Sequence, residues 1–459
     1  MENITIEACA AEGKALTHWN GVVVFVPFAV PGDVVDIRVT KKSKNYYEGF
    51  VERIVTPSKD RLEPFCQHFG VCGGCKWQPL PYPMQLEAKR QQVYDQLVRI
   101  GHLNVPEIRP TIPSDKIQYY RNKLEFTFSS KRWLLKDEDI ESVPENYRMG
   151  LGFHVGKFFD KVLDIKHCYL QKDPSNDIRL FIKKYAVENG LDFFDIRQNV
   201  GYVRNMFIRT TDTGDLMVIM CFFYENREDR EKMLDAIAEA FPQITSLYYI
   251  INNKLNDSIG DQECILYKGE PTIRETMESL TFRIGPKSFY QTNSEQAYKL
   301  YSVARDFAEL TGNEIVYDLY TGTGTIAQFV SGKAARVIGI EYVPEAIEDA
   351  KVNAAGNGIT NCEFFAGDMK DVLRRDFINE HGQPDVIILD PPRAGIHPDV
   401  AKVILEASPA RMVYVSCNPA SQARDLALFA DKYDITAVQP VDMFPHTQHV
   451  ENVCALRLR

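Results

Sequence analysis

The chain lacks any run approaching the roughly 18 uncharged apolar residues that cross a bilayer, and Met1-Glu-Asn-Ile-Thr-Ile-Glu7 has no basic stretch leading into an apolar one, as an export signal would. No membrane partner is expected, and the cytoplasm is the expected location. Internal repeats and low-complexity segments are also missing. So is net positive charge: 53 Lys and Arg against 63 Asp and Glu leave −10. Taken alone, that disfavours a nucleic-acid partner, because a phosphate backbone must meet positive charge. The sum hides a local difference. Residues 1–61 hold eight basic and eight acidic side chains, so the acidic excess lies later in the chain. Within that segment Lys41, Lys42 and Lys44 stand beside Tyr46 and Tyr47, the composition of a surface that tracks phosphates and stacks bases. A strand edge defended by lysines gives the same pattern.

What is present is enough for several cores. At 459 residues with 45% hydrophobic and 25% charged side chains, the chain is a folded protein of more than one domain. Short apolar runs at Ile4 to Ala8, Val22 to Val26, Val34 to Val39 and Phe50 to Ile54, broken by Gly21, Pro31-Gly32 and Ser43, predict an all-β barrel over 1–57. A cysteine cluster follows, then a helix over Met84 to Ile100 with Leu86, Val93, Leu97 and Ile100 at helical spacing and Gly101 at its end. This helix is a candidate to pack on the catalytic domain. Mixed strand and helix signals up to Ile284 predict a central α+β unit, 58–284 with the cysteine segment. Regular strand–helix alternation over 285–459 predicts a parallel sheet with crossover helices.

Ten cysteines in a reducing compartment point to ligands, nucleophiles or buried fillers rather than disulfides. Cys66, Cys72 and Cys75 fall within ten residues, and Cys168 is a candidate fourth ligand. From spacing alone, tetrahedral zinc and a four-iron cluster are equal readings.

In the last unit a strand, Glu314 to Leu319, runs into Asp318-Leu-Tyr-Thr-Gly322-Thr-Gly324-Thr-Ile-Ala327. Glycines here let the backbone turn tightly against a ligand at a helix N-terminus. Gly322-x-Gly324-x-x-Ala327 also satisfies a dinucleotide fingerprint, so a nicotinamide-dependent oxidoreductase is one reading. The acidic Asp318, four residues before the first glycine, favours a methyltransferase. Glu341 ends the next strand, where a carboxylate can accept both hydroxyls of a ribose, and Asp368 follows the third, placed to meet an adenine amine. Helix capping is the plain alternative for both.

The fourth strand ends in Asp390-Pro-Pro-Arg393 and the fifth in Ser416-Cys417-Asn418-Pro419, at the edge where open α/β sheets bind ligands. An Asp-Pro-Pro turn also serves amino-group methyltransferases, but Arg393 stands where their aromatic residue would be. Carbon 5 of uracil is too weak a nucleophile to take a methyl group from a sulfonium. A thiolate added at carbon 6 turns the ring into an enolate rich in electrons at carbon 5. Cys417 is the candidate, its ionisation aided by Arg393; an inert core cysteine is the other reading. A base must then remove the proton from carbon 5, and Glu451, just before the last strand, is available.

Together these blocks, with Ser288-Phe-Tyr-Gln291-Thr-Asn293, Tyr120-Arg121-Asn122-Lys123 and His449-Val-Glu451, resemble the RNA uridine-5-methyltransferase family of the bacterial 23S ribosomal type, which carries an N-terminal TRAM barrel and an iron–sulfur cluster. The resemblance covers nearly the whole chain. It implies an all-β and α/β multidomain fold with a C-terminal Rossmann-like class I methyltransferase domain. It also implies Cys417 as nucleophile, Glu451 as base, and Gln291, Tyr320, Glu341 and Asp390 against S-adenosylmethionine, with Asp368 a weaker candidate. Thr321 departs from the family, many of whose members have cysteine there. For Cys66, Cys72, Cys75 and Cys168 the resemblance favours a [4Fe-4S] cluster of structural or RNA-positioning role. Cys9, Cys221, Cys264, Cys362 and Cys454 are read as structural. The implied substrate is a single-stranded or flipped uridine of 23S ribosomal RNA, acted on by a monomer. The alternatives are a transfer-RNA enzyme and a non-catalytic RNA-binding iron–sulfur protein.

Overall fold

The computed structural model describes every residue except 136, 137, 140, 145–147 and 157. The N-terminal part is a half-barrel: six strands, from Ile4–Thr5 to Tyr46–Thr56, form one sheet around Ile4, Ile6, Ala15, Val24, Val26, Val35 and Ile37. The sequence pattern does not reveal the strand Lys14–Trp19, whose inward residues are only Ala15 and Thr17. It also places the start of the last strand too late. Tyr46 and Tyr47 belong to that strand, and Lys41 and Lys42 of the neighbouring one lie over their rings at 5.3 and 5.8 Å.

Helix α1 (Tyr82–Tyr94) runs into a π-helical turn, Asp95–Ile100, so the expected helix forms but its buried face differs from the expected one. Gln85, Lys89, Val93 and Leu97 point inward, whereas Leu86 is half-buried and Ile100 is 65% exposed. Two polar residues occupy the inner face because their partners come from more than 350 residues away. Val93 and Leu97 pack with Tyr317, Leu319, Ala423 and Leu426.

The central sheet has seven strands, from Ile265–Gly269 at one edge to Val162–Asp164 at the other. Strands Val203–Thr210 and Leu216–Phe222 are buried along their whole length, which requires both faces to be covered. Alternation explains how. Met206, Ile208, Val218 and Met220 meet the helices Ser175–Glu188 and Arg227–Ala240. Phe207, Met217, Ile219 and Cys221 join the core of the C-terminal part through the hairpin Ile273–Met277 and Leu280–Ile284. The central and C-terminal parts therefore share one apolar cluster.

The third sheet carries the site. Its strands are β1 (Ile315–Leu319), β2 (Arg336–Glu341), β3 (Cys362–Ala366), β4 (Val386–Leu389), β5 (Arg411–Ser416), β6 (Tyr433–Val441) and β7 (Glu451–Leu458). They lie in the order β3-β2-β1-β4-β5-β7-β6; the first five are parallel and β7 is antiparallel to both neighbours. The expected parallel sheet is present with an antiparallel pair at one end. The switch in order between β1 and β4 opens the crevice in which such sheets take ligands.

Candidate active site

Parallel strands β1, β2, β4 and β5 all end at one edge of the sheet, so Tyr320, Glu341, Asp390 and Cys417 are brought to that edge together. At the end of β1 the backbone takes three left-handed residues in five: Tyr320 at φ 65°, Gly322 at 56° and Gly324 at 73°. Such φ values are easy for glycine and strained for tyrosine. Gly324 is also fixed by contact, since a Cβ there would lie 2.8 Å from Phe364. Gly322 faces open space within 4 Å, leaving room for a ligand against the backbone. Asp318 is fully buried; its Oδ2 accepts from Thr321 Oγ1 (2.5 Å) and the Ala327 amide (3.0 Å), while its Oδ1 has no partner. Burial pushes its carboxyl up to about 7. An orphaned acceptor beside an open glycine turn suits a ligand with N–H or positive charge to offer.

Glu341 accepts from the Gly322 amide at 3.1 Å and the Val343 amide at 3.1 Å, so it stands across the glycine turn. Asp368 caps the short helix Met369–Val372 and pairs with Lys370 at 3.0 Å. The capping alternative thus describes what its side chain does here. Gln291 approaches from outside the sheet, and its carbonyl accepts from Asn122 Nδ2 at 2.9 Å.

Cys417 lies between β5 and the helix Pro419–Phe429, which Asn418 caps. The antiparallel register ends on the pair Ser416 and Asn452, so Cys417 and Glu451 are the next residues along the two chains, and the charge of Glu451 acts on the Cys417 thiol. Glu451 is the first residue of β7 rather than a loop residue before it. Buried Gln422 locks this pairing: its Nε2 reaches the carbonyls of Tyr414 (3.0 Å) and Asn452 (3.2 Å), and Asn452 Nδ2 donates to its Oε1 at 2.7 Å. Asp425 fixes the facing loop, accepting from Tyr414 Oη (2.6 Å) and the Ile396 amide (2.9 Å).

Electrostatics at this edge favour neutral forms. Burial, then the charge of Asp390, push Glu451 up to about 8; burial, then Asp318, push half-buried Asp390 up to about 7. Arg393 does act to lower the Cys417 thiol, as expected, but it does not set the net direction. Burial, followed by the charge of Glu451, outweighs Arg393 and raises it to about 11. Arg393 is exposed, and part of its hydrogen-bonding goes to His449 Nδ1 at 2.9 Å.

Away from this edge, Cys66, Cys72, Cys75 and Cys168 line one cavity of about 450 Å³ beneath the central sheet, with Arg121 and Thr292 on its wall. Burial raises all four thiols, and Cys72, Cys75 and Cys168 also feel the charge of others in the set. Among the described residues, no three or more His, Cys, Asp or Glu side chains are arranged to hold a metal ion. A fully buried pair, Lys89 and Asp442, was also invisible to sequence reasoning. Its only trace is the polar Gln85 and Lys89, four residues apart on a helix.

Comparison with known proteins gives three findings. Residues 209–459 match the family described as tRNA (Uracil-5-)-methyltransferase, and residues 2–51 match the TRAM domain. Proteins described as uncharacterized RNA methyltransferases in Porphyromonas gingivalis and Bacteroides thetaiotaomicron are 59% and 58% identical, over 97% and 98% of this chain and 98% and 100% of theirs. The crystal structure of Pyrococcus abyssi tRNA (uracil-54, C5)-methyltransferase in complex with S-adenosyl-L-homocysteine aligns at a TM-score of 0.76 and 29% identity, covering 99% of this chain and all of that one.

Proposed function

The chain belongs to the S-adenosylmethionine-dependent RNA uracil-5-methyltransferase family, with a TRAM domain and a class I methyltransferase fold, and from that premise we propose that it methylates carbon 5 of a uridine through a covalent bond between Cys417 and carbon 6. The observation that carries this reading is that Cys417 and Glu451 adjoin the last pair of the β5–β7 ladder, close enough for the charge of Glu451 to act on the thiol. S-adenosylmethionine supplies the methyl group on its sulfonium. Gln291, Tyr320, Glu341 and Asp390 hold it at the sheet edge, with Asp318 beneath the glycine turn; Asp368, occupied as a cap, is the weakest contact.

The Cys417 thiol gives its proton to solvent as its sulfur bonds carbon 6, and the ring double-bond electrons move to carbon 5 and the adjacent carbonyl. Carbon 5 takes the methyl group as the sulfur–methyl bond breaks, with S-adenosylhomocysteine as the leaving group. Glu451 then removes the remaining hydrogen on carbon 5, the double bond re-forms, and the carbon–sulfur bond breaks to return Cys417. A base stacked in a duplex cannot reach this edge, so the uridine must be unpaired or flipped. The barrel, with Lys41, Lys42, Tyr46 and Tyr47 gathered on two strands, suits flanking RNA.

Large-subunit ribosomal RNA is the substrate we favour, on the joint presence of barrel and cysteine cluster. Transfer RNA is the second reading, supported by the full-length likeness to the Pyrococcus enzyme. Ribosomal and transfer RNA carrying 5-fluorouridine test both, because fluorine cannot leave as a proton. With S-adenosylmethionine, one of the two RNAs is expected to form a denaturation-resistant adduct with the wild-type protein and none with Cys417→Ala. Methylation of ordinary RNA without such an adduct overturns the covalent route.

For the four cysteines we propose a [4Fe-4S] cluster. All four line one cavity, and the resemblance to a family that carries such a cluster favours it over zinc. A cluster saturated by four thiolates has no open iron for chemistry, so its role is structural. Anaerobically purified protein is expected to contain iron and sulfide in near-equal amounts; stoichiometric zinc instead sinks this assignment.

A further inference from the structure

The loop between β6 and β7, residues 442–450, has no helix or strand of its own, yet most of it is buried, and it ends at Glu451. Buried backbone of this kind must have its polar groups satisfied, and here the carbonyls are taken one after another by distant elements. The carbonyl of Asp442 accepts from Gln296 Nε2 (2.8 Å), that of Met443 from Asn293 Nδ2 (3.0 Å), and that of Phe444 from Lys89 Nζ (3.1 Å). The carbonyl of Pro445 accepts from Tyr120 Oη (3.0 Å), and that of His446 from the amides of Lys76 (2.9 Å) and Trp77 (3.0 Å).

Helix α1 supplies the charged part of this clamp. Lys89 Nζ pairs with Asp442 Oδ1 where both side chains are wholly inaccessible, Tyr82 Oη donates to Asp442 Oδ2 at 2.8 Å, and Gln85 Oε1 accepts from the His446 amide at 2.8 Å. A buried ion pair is a weak stabilising device, because desolvation offsets most of its attraction. What it does provide is one fixed geometry. The Glu451 carboxyl needs that, since its neighbours Asp390, Arg393 and Lys89 act on it through charge, and its placement comes from the backbone leading into β7.

We propose that Lys89 is a positioning residue for Glu451: by tying Asp442 and the Phe444 carbonyl to α1, it holds the loop 442–450 so that the carboxylate reaches the hydrogen on carbon 5 of the uracil bonded to Cys417. This rests on the reading of Glu451 as the base. A loop released from Lys89 slows proton removal, because an ångström of misplacement weakens such a transfer by about 100-fold. Addition of the thiol and methyl transfer stay as they were. The methylated ring then waits on Cys417.

The test tracks the methylated covalent adduct on ordinary RNA with radiolabelled S-adenosylmethionine in wild type, Lys89→Met, Lys89→Met/Asp442→Asn and Glu451→Gln. The double variant removes both charges, so it folds even if a lone buried Asp442 carboxylate does not permit the single one. Glu451→Gln is expected to accumulate adduct. The Lys89 variants are expected to do the same, with kcat lower by about 10- to 100-fold and KM for RNA and cofactor within about twofold. If Glu451→Gln accumulates adduct and the Lys89 variants do not, Lys89 has no positioning role. If Glu451→Gln itself accumulates none, the reading of Glu451 as the base fails instead.

Discussion

Replacing Glu451 by Gln is expected to stop turnover after one methyl transfer and to leave the methylated RNA bonded to Cys417, with kcat lower by on the order of 10²- to 10⁴-fold. Glutamine keeps the shape of the side chain and cannot accept the proton. The pH dependence comes from burial. The folded carboxyl lies at about 8, against an ordinary 4.5, and it must be ionised to act, so the wild-type rate rises with pH through an acidic limb near 8. That limb belongs to the coupled pair of Glu451 and Asp390. Stability runs the other way. A carboxyl raised on folding contributes stability that is full below its unfolded pKa and is lost as pH rises through its folded one. With Glu451 only 5% exposed, the loss on going from about pH 5 to 9 is on the order of a few kcal/mol. Glu451→Gln escapes it, so the variant should melt higher than wild type at pH 9, by more than at pH 6. Equal melting shifts at both values are incompatible with a raised carboxyl. Free methylated RNA released at the wild-type rate is incompatible with the base.

Replacing Cys417 by Ala is expected to lower methylation by on the order of 10⁴-fold or more, since the nucleophile, the adduct and the activated carbon 5 are lost together. Cofactor affinity, measured by calorimetry, should stay within about threefold, because the glycine turn, Asp318 and Glu341 are built on β1 and β2 and not on β5. The thiol is neutral in the free protein, being raised to about 11, so iodoacetamide should label it slowly below pH 9. A Cys417→Ala protein that keeps one hundredth of its activity rules out nucleophilic catalysis. Fast labelling at pH 7 contradicts the burial argument but leaves the nucleophile untouched.

The chemistry-bearing motifs were legible because each is a short segment at the end of one strand. Asp318 to Gly324, Asp390-Pro-Pro-Arg393 and Ser416-Cys417-Asn418 come directly after apolar runs long enough to be strands, and parallel strands carry the residues at their carboxyl ends to one edge. The half-barrel and the alternation of strand and helix were readable from period and turn residues for the same local reason. Strands Lys14–Trp19 and Tyr433–Val441 were not, since the first buries two small side chains and the second mixes polar and apolar residues along an edge.

The fold class, the glycine turn and the candidacy of Cys417 and Glu451 could be read from local pattern, because these depend on neighbours in the chain. The packed chain brings Cys417 and Glu451 together, through a register of β5 against β7 that ends one residue before them. It alone decided that the thiol is held up rather than down, through burial that outweighs one exposed arginine. And it alone set Lys89 against Asp442, 353 residues away. Burial and long-range pairing are properties of the packed chain, and no local pattern carries them.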